Sequence, residues 1–383
     1  MKNRYKYLAC LIILIVSCAE DNNLLRDIAQ RGGYILFEET PNTRINILEI
    51  DTAEFSENII DPNNNATSYS LTAYYNADVF ENVFVANSFP TDLKLSITDL
   101  ATQLGISTND ITADTTISMV ATVVSSTGTY SGFTPDYVNN NSENAGGQTV
   151  NRLKLAGLNA AMEFDITFFV PPPLALRKTS FEEPVGAASG DFYFKTGLPN
   201  ASGILQNNPG EPIMNYVAVG TGIDNELGFT SEFISTGDSG FESAELGVTT
   251  KLLEFDFYPD GTQGFKIEDI DGLFRMTFDT VIVPAENPKS GAQIQVFFRS
   301  TSWENGDYLH IFANVEGPGG SSLVDIVPII SGDDIEAIDG QWLIYDTGFL
   351  DGITSYEVII ETEVDFGGED IYWDNLLIYI PEL

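Results

Sequence analysis

The sequence predicts an all-β chain folded as two β-sandwich domains. Three observations lead there. Short runs rich in β-branched and aromatic residues, with apolar and polar side chains alternating, recur along most of the 383 residues and are separated by Gly, Asp, Asn and Pro. Only one stretch has convincing helical spacing, and strands never alternate with helices in the βαβ manner that a parallel sheet needs. Pro171-Pro172-Pro173 divides the pattern near its middle; such a run favours a stiff, extended conformation over a place inside a sheet.

The chain opens with Lys2, Arg4 and Lys6, followed by an apolar run over residues 8–16 that is too short to cross a bilayer of about 30 Å as a helix. Ser17 and Cys18 close it. A cysteine in this place also fits an ordinary secretory cleavage site. Ile15-Val16-Ser17-Cys18 resembles a bacterial lipobox, with isoleucine where leucine is commoner. The resemblance implies a signal peptide over residues 1–17, cleavage before Cys18 and a diacylglycerol on its sulfur. Ala19-Glu20-Asp21 resembles the export signal of surface lipoproteins from bacteria that degrade glycans at their envelope, which implies an outer-membrane anchor and a cell-surface location. Residues 18–32 are polar and read as a tether.

The formal charge of −39 becomes −42 once residues 1–17, with their three basic side chains, are removed. Such a surface repels phosphate backbones and anionic headgroups, so nucleic acid is excluded as a partner and membrane attachment is left to the acyl chains. So many carboxylates either bind divalent cations or keep a secreted protein dispersed. The cysteines are Cys10, inside the signal, and Cys18, so the mature chain has no disulfide and folds on its hydrophobic cores. With His310 as the one histidine, multi-histidine metal sites are excluded, and a histidine-based triad has a single possible base.

Residues 33–170 form the first domain. Strands are expected at 34–37, 44–50 and 68–74, separated by turn chemistry such as Asp61-Pro62-Asn63-Asn64-Asn65, and again at 115–125 and 162–170. Residues 96–105 are the helical exception: Thr98 can cap the first turn, Leu100 and Leu104 share a face, and Gly105 ends it. Residues 136–149, with Asn139-Asn140-Asn141 and Gly146-Gly147, read as a surface loop. The spacing suits an Ig-like sandwich. A linker over 171–179 leads to a second domain, 180–383, with strands expected at 252–258, 273–283, 292–300, 308–315, 342–345, 355–362 and 372–380. This pattern, with no convincing helix, predicts an antiparallel jelly roll.

Asp61-Pro62-Asn63-Asn64, Ser88-Phe89-Pro90, Ile97-Thr98-Asp99-Leu100-Ala101 with Leu104-Gly105, and Asp114-Thr115 make residues 33–170 similar to the N-terminal β-sandwich of Sus-type outer-membrane glycan-binding lipoproteins. In that family this domain is often a spacer. Ser180-Phe181-Glu182 and Trp373-Asp374-Asn375-Leu376 make the second half resemble galactose-binding-like carbohydrate-binding jelly rolls. The family often holds a structural Ca²⁺ where those chain ends meet, which implies Glu182 and Asp374 as carboxylate ligands, with Glu183 able to replace Glu182. Alternatively, Phe181 and Leu376 are core residues and the acids only solvate strand ends. The acids of Thr236-Gly237-Asp238-Ser239-Gly240-Phe241-Glu242 and of Glu268-Asp269-Ile270-Asp271-Gly272 match no EF-hand loop.

Sugar rings are held by aromatic faces flanked by amides and carboxylates. Trp303, Glu304, Asn305, Asp307 and Tyr308 supply that combination between two strands, while Trp342 and Trp373 lie within strand patterns and read as core. A packing role for Trp303 is the alternative. Glu254-Phe255-Asp256 and Glu363-Val364-Asp365-Phe366-Gly367-Gly368-Glu369 are near misses of the Glu-x-Asp-x-x-Glu pattern of laminarinase-like glycosidases; Pro259 interrupts the first and Gly367-Gly368 the second, and no Gly-x-Ser-x-Gly elbow is present, so no catalytic residue is assigned. The expectation is a surface lipoprotein that binds polysaccharide or oligosaccharide without cleaving it, beside a transporter and other glycan-binding lipoproteins. A structural or adhesive protein that binds other envelope proteins, and a jelly-roll glycoside hydrolase, are the alternatives.

Overall fold

The computed structural model describes residues 33–126, 128–132, 159–183, 203–207, 212–218, 226–234, 245–252, 255–299 and 303–382. Residues 1–17, Cys18, the tether to residue 32, the loop at 136–149, residues 236–242 and Glu254 lie outside the described residues. The chain forms two compact units that divide between Val170 and Pro171.

In the first unit, β1 (Leu36–Phe37), β3 (Glu54–Ile60) and β6 (Thr91–Ser96) make one sheet. The other has the order β2-β9-β7-β4-β5, from β2 (Arg44–Asn46), β4 (Ala66–Tyr75), β5 (Asp78–Ala86), β7 (Thr116–Ser125) and β9 (Glu163–Phe169), with β8 (Gly128–Ser131) beside β7. β2 runs parallel to β9 and the other pairs are antiparallel. Strand periodicity places Tyr69, Leu71 and Ala73 opposite Val123, Ala121 and Met119, all buried. Phe37 and Phe55 from the smaller sheet meet Phe164 from the larger, with ring centroids 5.1 and 5.3 Å from it.

Helix α1 (Ile97–Leu104) buries Ile97, Leu100, Ala101 and Leu104 and ends at Gly105, whose φ of 67° any side chain would strain. Its cap is Ser96, whose Oγ accepts from Asp99 N, and not the expected Thr98. A cap needs extended backbone before the first turn, which Ser96 has, whereas Thr98 is already helical. The strand expected over 44–50 stops at Asn46, because its side chain accepts from Leu48 N and starts a 3₁₀ turn.

The second unit packs two antiparallel sheets. One has the order β13-β14-β23-β17-β20: β13 (Glu245–Thr249), β14 (Gly264–Glu268), β23 (Asp370–Pro381), β17 (Lys289–Arg299) and β20 (Trp342–Asp346). Beside it, β10 (Pro173–Thr179) pairs with β23 and β21 (Leu350–Asp351) with β17. The other sheet runs β11-β12-β15-β22-β18-β19: β11 (Gly203–Ile204), β12 (Phe229–Ile234), β15 (Ile270–Phe278), β22 (Ser355–Val364), β18 (Tyr308–Gly317) and β19 (Gly320–Ser331), with β16 (Val281–Ile282) beside β22. Neighbours distant in sequence give the crossing connections of a jelly roll. Phe181, Phe229, Phe265, Phe274 and Trp373 fill the space between the sheets, Phe265 stacking on Trp373 at 4.8 Å.

Three expectations need correction here. The linker over 171–179 is mostly strand β10; Pro173 is tolerated because it is the strand's first residue, opposite Pro381 near the end of β23. Residues 255–258 form bends and no strand, since Pro259 follows and Phe255 and Tyr258 fold across the neighbouring sheet. A short helix, α2 (Asp333–Glu336), interrupts the otherwise all-strand second unit.

Candidate functional site

In the sheet that contains β17 and β23, alternate residues face the core and the outside. Ile294, Val296 and Phe298 of β17, with Ile371 and Trp373 of β23, point inward. Phe297 and Tyr372 instead form a separate apolar cluster with Tyr258, Phe255 and Trp342 on the outer face. The Phe255 ring lies 4.9 Å from Phe297, 5.1 Å from Tyr372 and 5.3 Å from Trp342, and Tyr258 anchors the same bend by donating to Lys251 O at 2.7 Å. Trp342, read from sequence as core, is half-buried on this face because β20 is an edge strand with Trp342, Ile344 and Asp346 turned outward.

Polar side chains continue that row. Register pairs Phe297 with Trp342, Gln295 with Ile344 and Gln293 with Asp346. Asn375 donates to Gln295 Oε1 at 3.0 Å, and Tyr379 OH donates to Asp346 Oδ1. Ile344 is 62% exposed and Phe257, at the rim, 67% exposed. The result is an apolar strip lined by half-buried amides, the pairing of surfaces that a sugar ring requires. Sequence reading missed these amides; the only available signal was the alternation Ala292-Gln293-Ile294-Gln295-Val296.

Beyond the aromatic cluster the same face carries a closed ionic network. Fully buried Lys266 is 2.7 Å from Asp370 and 2.5 Å from Glu268, and it also contacts Glu245. Lys251 pairs with Glu245 at 2.8 Å, and Arg299 with Asp370. Three cations therefore answer three carboxylates. Burial pushes Glu268 up to about 7 against the pull of Lys266. Burial opposes ionisation of Glu245 too, but hydrogen bonds from Lys251 and Lys266 outweigh it and hold that group down to about 2.

At the other end of β14 the structure brings Glu182 and Asp374 onto one loop. β10 and β14 lie end to end along the same edge of β23, with Asp374 between the two pairings. Asp374 Oδ2 accepts from Asp260 N at 3.0 Å, while Glu182 Oε1 accepts from Thr262 N and Gln263 N, both at 2.6 Å. Asp374 is fully buried, and burial, with Asp260 and Glu182 adding negative charge, pushes it up to about 8. Among the described residues no lysine or arginine pairs with Asp374 or Glu182; backbone N–H groups of Asp260, Thr262, Gln263 and Asn375 and the Thr262 hydroxyl hold the two carboxylates, whose oxygens are of the hard kind that Ca²⁺ takes. Phe181 and Leu376 are both core residues. Glu226, missed in the sequence, holds the chain there: its carboxylate accepts from the backbone N–H of Ser180, Glu182 and Glu183 and from the hydroxyls of Thr179 and Ser180.

The sequence-based platform does not form. Trp303 is 6% exposed and packs edge-on against Phe298 inside the main core. Asp307 is also fully buried, and Tyr308 begins β18 half-buried. Glu304 and Asn305 remain exposed. Glu304, Asp307, Asp365 and Glu369 converge instead, each offering an oxygen within 4.8 Å of the others. Burial and the neighbouring Glu304 and Asp307 push Glu369 up to about 9; burial, partly offset by two backbone donors, pushes Asp307 up to about 6.

Glu254 of the first glycosidase-like motif lies outside the described residues, and the acids of the second do not share one strand. Asp256 is exposed in a bend, and Glu363 lies on β22 while Asp365 and Glu369 flank the turn after it. His310 pairs with the Asp325 carboxylate at 2.8 Å and stacks near Phe312.

No protein-family model and no curated protein matches the chain. Solved structures similar to parts of it include the xylan-binding CBM22-1 domain of Paenibacillus barcinonensis Xyn10C, at 11% identity over 56% of this chain and 99% of that one, with a TM-score of 0.27. TmCBM61 in complex with β-1,4-galactotriose is 11% identical over 35% of this chain and 81% of that one, TM-score 0.25. The C-terminal family 22 carbohydrate-binding module of Clostridium thermocellum Xyn10B is 9% identical over 36% and 82%, TM-score 0.23. Likenesses this distant carry no functional argument, and the all-β architecture stands on the strand pairing itself.

Proposed function

We propose that the second unit binds a glycan chain without cleaving it, on the outer face shared by β23, β17 and β20. The observation that carries this reading is the juxtaposition of the half-buried Trp342 and exposed Ile344 with the amides of Gln293, Gln295 and Asn375 on one sheet face. An aromatic ring and an aliphatic side chain cover the apolar side of a sugar, and amides exchange hydrogen bonds with its hydroxyls. A lipid on Cys18 would hold the protein on the outer membrane facing outward, beside a transporter and other glycan-binding lipoproteins of a polysaccharide uptake system. A Ca²⁺ on Glu182 and Asp374 would fasten the strand that opens the unit to the strand that closes it.

A glycan array on the whole mature chain tests the binding. Gln295→Ala, which removes one amide from a half-buried position, is expected to weaken the best ligand roughly tenfold, the equivalent of about 1.4 kcal/mol. An array blank for every glycan, with envelope proteins captured instead, would replace this reading with the adhesive one. Release of reducing sugar would make the protein a hydrolase. Mass spectrometry of the mature N-terminus tests the anchor.

A further inference from the structure

We infer that Glu304, Asp307, Asp365 and Glu369 form a binding site for a divalent cation of the Ca²⁺ kind, separate from the pair Glu182 and Asp374. The four meet where β18 begins, β22 ends and β23 begins: Tyr308 pairs with Glu363, and Asp365 and Glu369 flank the turn into β23. Their convergence is built into the backbone. Asp307 Oδ2 accepts from Glu304 N at 2.8 Å, its Oδ1 accepts from Asp365 N at 3.2 Å, and Glu369 N donates to Phe366 O at 3.3 Å.

The observation that points to a ligand is Glu369. Its side chain is fully buried, no N–H, hydroxyl or cationic group reaches either carboxylate oxygen, and the groups beside it are the carboxyl groups of Glu304 and Asp307. Buried carboxylates are ordinarily paired or hydrogen-bonded, since stranding one costs several kcal/mol. The neighbouring residue shows the usual solution: Asp370, also fully buried, is matched by Lys266 and Arg299. Among the described residues, no lysine, arginine or histidine pairs with Glu304, Asp307, Asp365 or Glu369. Without an ion, protons must answer that charge; a divalent cation from solution can displace them, and the exposed Glu304 and Asp365 leave the group open to it.

The chemistry selects the ion. All four donors are carboxylates, hard ligands that suit Ca²⁺ and not the softer metals that take thiolate or imidazole. Oxygens around one Ca²⁺, each at about 2.3–2.6 Å, can be no more than about 5.2 Å apart, and these lie within 4.8 Å. Four carboxylates leave two to four of the roughly six to eight positions for carbonyls or water.

Equilibrium dialysis of radioactive Ca²⁺ against the whole mature chain counts the ions. Glu369→Gln is expected to lose one ion per chain, or to bind it at least tenfold more weakly, in the wild-type background and equally in Asp374→Asn, which leaves this site intact. In EDTA, Glu369→Gln should melt no lower than wild type, because it replaces a buried acid crowded by other carboxyl groups with a neutral amide of similar size. Ca²⁺ should raise the midpoint of wild type more than that of the variant. Glu304→Gln, on the exposed rim, serves if the buried substitution does not fold, and should also weaken the ion. Equal ion counts and affinities in wild type and either variant would overturn the inference, as would no binding to wild type at about 10 mM Ca²⁺.

Discussion

Glu226 shows how much one side chain can hold. Its carboxylate is the common acceptor for three backbone N–H groups and two hydroxyls between Thr179 and Glu183, where Phe181 takes a φ of 57° that a non-glycine residue rarely adopts. Glu226→Ala should therefore lower unfolding stability by on the order of 2–4 kcal/mol, with Glu226→Gln costing less because one acceptor oxygen remains. Urea denaturation of both variants checks this; an unchanged midpoint for the alanine variant would mean that water replaces the carboxylate. At this scale the sequence was least legible. Trp303 has amides and acids beside it and Trp342 sits in a strand pattern, yet the first is core and the second lies on the outer face. Neighbours in sequence do not show which face of the sheet Trp342 takes, which depends on register, since one step of register exchanges the faces, nor how the loop that carries Trp303 packs.

At the scale of elements, periodicity found strands whose inward positions are strongly apolar, such as β7, β17, β18, β22 and β23. It passed over β3 and β19. β3 buries Phe55 and Ile59 amid Glu54, Ser56, Glu57 and Asn58, and β19 is an edge strand with most of its residues exposed and Pro328 within it. β14 was passed over although Phe265-Lys266-Ile267-Glu268 alternates, because the run is only five residues long; its outward Lys266 and Glu268 belong to the buried ionic network. That network titrates in both directions. The folded state raises Glu268 from an ordinary 4.5 to about 7, so the native protein holds the extra proton, and this contribution, full below about 4.5, is lost as pH rises through 7. Glu245 is held down to about 2, so its contribution is present above about 4.5 and lost as pH falls toward 2. The Glu268→Gln variant should flatten the fall of the thermal midpoint between pH 4.5 and 7 while keeping the loss below 4.5. An unaltered slope between pH 4.5 and 7 would show that Glu268 is ionised throughout.

For the whole molecule, the sequence conveyed fold class because strand alternation and turn chemistry are local, and it conveyed two units because the triple proline marks their division. Where the second unit begins was not local information. Leu174 to Thr179 read as part of a linker, yet they pair with Ile380 to Leu376, so the strand that opens the unit lies against the strand that closes it. A fragment of residues 171–383 keeps this pairing and the complete second core, and should unfold in one cooperative transition. A fragment of residues 180–383 would expose one edge of the second half of β23 and forfeit the pairing with β10. Several ladder hydrogen bonds at about 0.5–1.5 kcal/mol each, with the packing of Leu176, put the loss on the order of 3–6 kcal/mol. Against a typical domain stability of about 5–15 kcal/mol, that leaves the shorter fragment marginal, with an open strand edge prone to aggregation. Calorimetry and light scattering on the two fragments distinguish the cases: equal midpoints would return residues 173–179 to the role of a linker.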